Sequence, residues 1–154
     1  MTRTELKKFA PHIALTLGGL CIVAGLFVLV SFEKKNTTDI ERIQRALSVK
    51  NALSLYYTYH ASYPPAPNGA HPLGMQDTLC LSDSGFVSVR SDACAKKAYL
   101  YPTPPSLNYI PLEEDGQTPC TSQSACPHYA VHFNLDTNLL YPKGKHALTD
   151  RGIQ

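Results

Sequence analysis

The sequence predicts an α+β chain: an N-terminal transmembrane helix and an amphipathic helix, followed by a small antiparallel β-sheet head with disulfide-held loops. Three observations predict it. Residues 13–32 (IALTLGGLCIVAGLFVLVSF) run for twenty positions without a charge. From Thr38 to His60 no Pro or Gly intervenes. Beyond Tyr63 the chain becomes rich in Pro and Gly, with short alternating segments and four cysteines.

Residues 1–12 carry Arg3, Lys7 and Lys8 against Glu5. The other eleven basic and eleven acidic side chains all fall from Glu33 onward, so that part is neutral. A nucleic-acid binder would show a basic face, and none clusters here, so nucleic acid is an unlikely partner. The basic start predicts a cytoplasmic N-terminus by the positive-inside rule.

As a helix, residues 13–32 would be about 30 Å long, which matches the hydrocarbon core of a bilayer. The stretch is longer than the apolar region of a cleaved signal. Leu29 fits poorly at the −3 position of a cut after Ser31. A retained anchor is therefore expected, with the lipid bilayer as a partner. Cys21 is read as a small apolar residue within it.

Glu33-Lys34-Lys35-Asn36-Thr37 reads as a polar junction, and Thr38-Asp39-Ile40-Glu41 as a capping box that starts the second helix. Ile40, Ile43, Ala46, Leu47, Leu53 and Tyr57 fall on one broad helical stripe, and Ile40, Ile43, Leu47, Leu53 and Tyr57 are the expected packing residues. Asp39, Glu41, Arg42, Gln44 and Arg45 lie mostly on or beside the polar face. Lys50 sits near the middle of the stripe, its stem along apolar surface and its ammonium in water. Ala61-Ser62-Tyr63-Pro64-Pro65 ends the helix, since a residue before proline is pushed out of helical conformation.

Residues 64–78 read as an irregular loop. Leu79–Leu81 and Phe86–Arg90 read as short strands about a Ser82–Gly85 turn. Tyr99–Tyr101 follows, then Leu107–Leu112, a weaker strand whose Pro111 suits an edge or an end. Tyr129–Leu135 alternates most clearly. Asp136-Thr137-Asn138 turns it into Leu139-Leu140-Tyr141, a predicted hairpin. The tail from Lys143 is polar, with Leu148 and Ile153 as anchors. The expected layout is a cytoplasmic segment over 1–12, a transmembrane helix over 13–32, a polar junction over 33–37 and an extracytoplasmic head over 38–154. In that head, 38–60 is helix and 64–154 is loops and strands.

Cys80, Cys94, Cys120 and Cys126 are an even set in a small domain, which predicts disulfides and an oxidising compartment. Four cysteines permit three connectivities. The local pairing is favoured because each pair then brackets a turn-rich loop. The metal alternative draws on Cys120, Cys126, His128 and His132, all types that ligate zinc. In a strand His128 and His132 would stand about 13 Å apart, too far for one ion. Glu113-Glu114-Asp115-Gly116 offers oxygen ligands of the kind calcium takes, but reads as a solvated turn. No metal and no cofactor are expected. GxSxG, HExxH and phosphate-binding glycine loops are all missing, so the chain is not read as an enzyme.

The order of apolar anchor, amphipathic helix, Tyr-Pro stop, cysteine-bearing loops and short strands resembles the type IV pilin and pseudopilin superfamily. The likeness is sharpest over Asp39–Leu47 (DIERIQRAL), Ala52–Tyr57 (ALSLYY) and Tyr63-Pro64. Cys80-Leu81-Ser82-Asp83…Cys94 and Tyr129–Leu135 look like the disulfide loop and sheet of pilin heads. The resemblance covers residues 13–142. It implies a membrane-anchored structural or interaction protein, a minor subunit or accessory factor of a type IV pilus or a type II secretion-like machine. Its implied partners are other pilin-like subunits or proteins of the assembly machine. Pilins are cut after a glycine and keep a glutamate at the edge of the apolar helix. Here no glycine precedes residue 13, and Lys7, Lys8 and Pro11 follow Glu5, so polymerisation is implied only weakly. Two alternatives stand beside this reading: a tethered adhesion or binding module that does not polymerise, and a secreted zinc-binding or enzymatic domain.

Overall fold

The computed structural model describes residues 3–66, 68–88, 90–121 and 125–154, with side chains from Leu20 onward except those of residues 21 and 32. The elements run α1 (Arg3–His60), β1 (His71–Pro72), a 3₁₀ turn (Gln76–Thr78), β2 (Cys80–Ser82), β3 (Gly85–Val87), α2 (Asp92–Lys96), β4 (Ala98–Leu100), β5 (Asn108–Leu112), β6 (His128–Leu135), β7 (Gly144–Thr149) and β8 (Gly152–Ile153). The class is α+β, with an antiparallel five-stranded sheet in the order β1-β5-β6-β7-β8 and a three-stranded sheet in the order β3-β2-β4. The chain divides into two compact units, residues 1–38 and Asp39–Gln154.

The transmembrane expectation is overturned. Among the described residues no helix is long and apolar enough to cross a membrane. The side chains of residues 13–19, 21 and 32, which belong to the expected span, lie outside the described ones. The described apolar run, Leu20–Ser31 apart from Cys21, is followed closely by Glu33, Lys34 and Lys35. The single-pass localisation, with a cytoplasmic N-terminus and an extracytoplasmic C-terminal domain, falls with it.

The helical start expected at Thr38 also differs. Residues 33–38 are helical. The hydroxyls of Thr37 and Thr38 donate to the carbonyls of Glu33 (3.0 Å) and Lys34 (2.9 Å), one turn back. Polar composition alone does not break a helix when hydroxyls can bond the preceding turn. At the other end α1 stops at His60. Ala61 takes the left-handed conformation (φ 53°), and its amide bonds the carbonyl of Tyr57 at 2.8 Å. This is a helix C-terminal cap without glycine.

In the second unit, Ile43, Ala46, Val49, Ala52, Leu53 and Tyr56 of α1 are buried in one cluster with Tyr109, Tyr129, Val131, Phe133, Leu135 and Leu148. The spacing of three and four residues is what one helix face requires. Of the expected packing residues Ile43 and Leu53 are buried, whereas Ile40, Leu47 and Tyr57 are exposed. The buried stripe is therefore rotated towards Val49 and Tyr56. Lys50, at its border, reaches the Asp150 carbonyl (3.5 Å).

β6 alternates as its sequence demands, with Tyr129, Val131, Phe133 and Leu135 buried. Its hairpin partner is β7, not Leu139–Tyr141. Leu135 faces Gly144 and Ala130 faces Thr149, and Leu139 and Leu140 lie exposed in the connection. β5 is an interior strand. Pro111 is accommodated because its carbonyl points away from β6, accepting from the Cys120 amide (2.8 Å), on the side where β1 has already ended. Its missing amide faces that side too.

Candidate functional site

Two disulfides pin the loops of the head. Cys80 bonds Cys94, and Cys120 bonds Cys126. The first ties β2 to α2. The second closes the loop entering β6, where the Tyr63 amide also bonds the Cys126 carbonyl (2.8 Å). The zinc set of Cys120, Cys126, His128 and His132 therefore does not assemble, because its two cysteines bond each other. His128 Nδ1 instead lies 3.1 Å from Asp150 Oδ2. Among the described residues no group of three or more His, Cys, Asp or Glu could hold a metal ion. In the Glu113–Gly116 turn, Asp115 is occupied within its own loop. It accepts from the amides of Gln117 and Thr118 (both 2.8 Å) and from the Thr118 hydroxyl (2.6 Å).

The main polar feature of the head starts at Asp39. The sequence places this residue on or beside the polar face of its helix, yet it is only 3% exposed. Its carboxylate accepts from the Asp136 amide (3.0 Å to each oxygen) and from the Thr137 amide and hydroxyl (both 2.8 Å). Burial pushes its pKa up. The bonds from Asp136 and Thr137, together with the Arg42 charge, outweigh that and hold it below the usual carboxylate range. Arg42 Nη1 completes the clasp. It donates to Asp39 Oδ1 (3.1 Å), Asp136 Oδ2 (2.7 Å) and the Asn134 carbonyl (3.2 Å). α1 is thereby tied to the end of β6.

Arg42 also borders a cleft of about 460 Å³ lined by Ser106, Asn108, Ile110, His132, Phe133, Asn134 and Lys145. Strand pairing builds it: Asn108 stands opposite His132, and Asn134 opposite Lys145, across β5, β6 and β7. Ser106, just before β5, has φ 69°. Asn108 Oδ1 is buried without a hydrogen-bond partner among the described residues. No carboxylate is among the lining residues.

No protein-family model matches the chain, and no curated protein and no solved structure matches it. The cleft is therefore interpreted from its own chemistry. It combines two cations, amides, a hydroxyl and an imidazole with one partly exposed apolar side chain, Ile110, a set suited to holding a ligand.

A second cavity, of about 270 Å³, includes His128, Tyr129, Thr149 and Asp150. Burial pushes the Tyr129 phenol well up, and the Thr149 hydroxyl donates to the Gly152 carbonyl (3.0 Å). The His128–Asp150 pair thus has no activated hydroxyl beside it among the described residues.

The sequence offers His132 as a zinc candidate and Arg42 as a polar-face residue, but nothing in it joins them to Asn108 and Lys145. The signal that existed was the outward half of the β6 alternation, His132 and Asn134. Its partners required the strand register.

Proposed function

We propose that the chain is a structural and interaction protein of pilin-like design, a minor subunit or accessory factor that associates with other copies or pilin-like subunits through α1. One observation carries the reading. Leu20, Ile22, Val23 and Leu26–Val30 of α1 are 57–75% exposed. A contiguous apolar surface of this kind marks an association site. The residues quoted from Asp39–Leu47, Ala52–Tyr57 and Tyr63-Pro64, with a disulfide-held antiparallel head, support the same design. A second reading, a binding or adhesion module that does not polymerise, is favoured by the cleft on the five-stranded sheet.

Light scattering and chemical cross-linking of the full chain test the first reading. Wild type is expected to associate as concentration rises, and the double variant Leu26→Asp/Leu29→Asp to remain monomeric with its head folded. A wild-type chain that stays monomeric at tens of micromolar would exclude it.

A further inference from the structure

We propose that the cleft across β5, β6 and β7 binds a small acidic carbohydrate, a sugar ring carrying one carboxylate. This concerns the head alone and does not depend on association through α1.

The charge of the lining asks for an anion. Arg42 and Lys145 are its cations, and no described carboxylate lines it. Arg42 is partly neutralised by Asp39 and Asp136. Among the described residues its hydrogen bonds all fall on Nη1, so its role is to hold one wall in place while other guanidinium nitrogens remain for a ligand. Lys145 has no ion pair among the described residues, and it supplies the free charge for the carboxylate.

The neutral groups ask for hydroxyls. Asn108 Oδ1 is a buried acceptor with no donor. Such an atom is destabilising unless something donates to it, and a ligand hydroxyl would. Asn134, Ser106 and His132 add groups that can both donate and accept. Ile110, partly exposed, provides apolar surface for the C–H face of a ring.

Two further observations point to a built site. A non-glycine residue at φ 69°, Ser106, sits at its rim, and such backbone strain concentrates at ligand sites. The volume also lies in the range of about 300–1,000 Å³ typical of small-molecule pockets. A simple inorganic anion would use Lys145 but leave Asn108 unsatisfied.

The experiment is ligand-observed NMR on the full chain with glucuronic acid, glucose and inorganic phosphate as probes. Glucuronic acid is expected to bind about tenfold more tightly than glucose. Lys145→Gln should remove about that factor, as loss of a charge-assisted contact does. Asn108→Leu should weaken glucuronic acid without weakening phosphate. Lys145 is exposed, so its variant reports on the site even if Asn108→Leu fails to fold. Equal binding of glucose and glucuronic acid, no binding of either, or full binding by Lys145→Gln would overturn the proposal. Phosphate binding as tight as glucuronic acid, with Asn108→Leu folded and without effect, would reduce the cleft to an anion site and equally overturn it.

Discussion

The carboxylate of Asp39 accepts both the backbone amide and the side-chain hydroxyl of Thr137, each at 2.8 Å, across 98 positions of sequence. A helix residue thus caps the chain as it leaves β6. The bond matters for stability because Asp39 and Thr137 are both buried, where an unpaired polar group is costly.

The acid limb of unfolding should therefore depend on Asp39. Its folded pKa lies below the usual carboxylate value. Its contribution is then fully present above about pH 4, the unfolded value, and is lost as pH falls through the folded pKa. Asp39→Asn should lower stability at neutral pH by about 2–3 kcal/mol and flatten the fall between pH 5 and 2 relative to wild type. Urea midpoints across that range check it. Asp83 and Asp115 are also held low, Asp83 first by the Tyr99 hydroxyl and Asp115 by Thr118, but both remain in the two proteins being compared.

The rotated stripe of α1 separates two leucines that the sequence treats alike. Leu53 is 0% exposed and Leu47 is 42% exposed. Leu53→Ala should cost about 2–5 kcal/mol as a cavity in the core, whereas Leu47→Ala should stay within about 0.5 kcal/mol. Equal losses in chemical denaturation would place the buried face where the sequence alone put it.

The Cys80–Cys94 link closes a loop with a sequence separation of 14. Replacing both cysteines with alanine should cost about 3 kcal/mol by the chain-entropy argument. The loss should appear in a thermal melt of the variant and be unaffected by reductant at that pair.

Gly74 answers to a local geometric demand. Its φ is +79°, and a Cβ there would lie 2.6 Å from Pro105 Cα and 2.8 Å from Pro105 N, backbone atoms that cannot swing aside. Its amide also donates to Thr103 Oγ1 (3.0 Å), and that hydroxyl in turn bonds the Thr78 carbonyl. Gly74→Ala should destabilise by at least about 2 kcal/mol. Gly116 (φ +68°) has nothing within reach of a Cβ, so Gly116→Ala should cost less, and a paired denaturation measurement checks the order.

The sequence by itself determined what depends on near neighbours. The α+β class, helix through His60, the β6 alternation and the cysteine set all follow from periodicity, composition and turn residues, whose physics acts over a few positions. It misled where a local pattern had more than one use. The apolar run from Ile13 reads as a bilayer span, whereas among the described residues no helix is long and apolar enough to cross a membrane. Leu139-Leu140-Tyr141 looked like the return strand, although Gly144–Thr149 fills that place. Only the tertiary structure decided which face of α1 is buried, that Asp39 caps Asp136 and Thr137, and that Arg42, Asn108, His132 and Lys145 share one cleft. Those groups are brought together by strand register and by helix rotation against the sheet. Both are set by packing between segments tens of residues apart, where no local propensity acts.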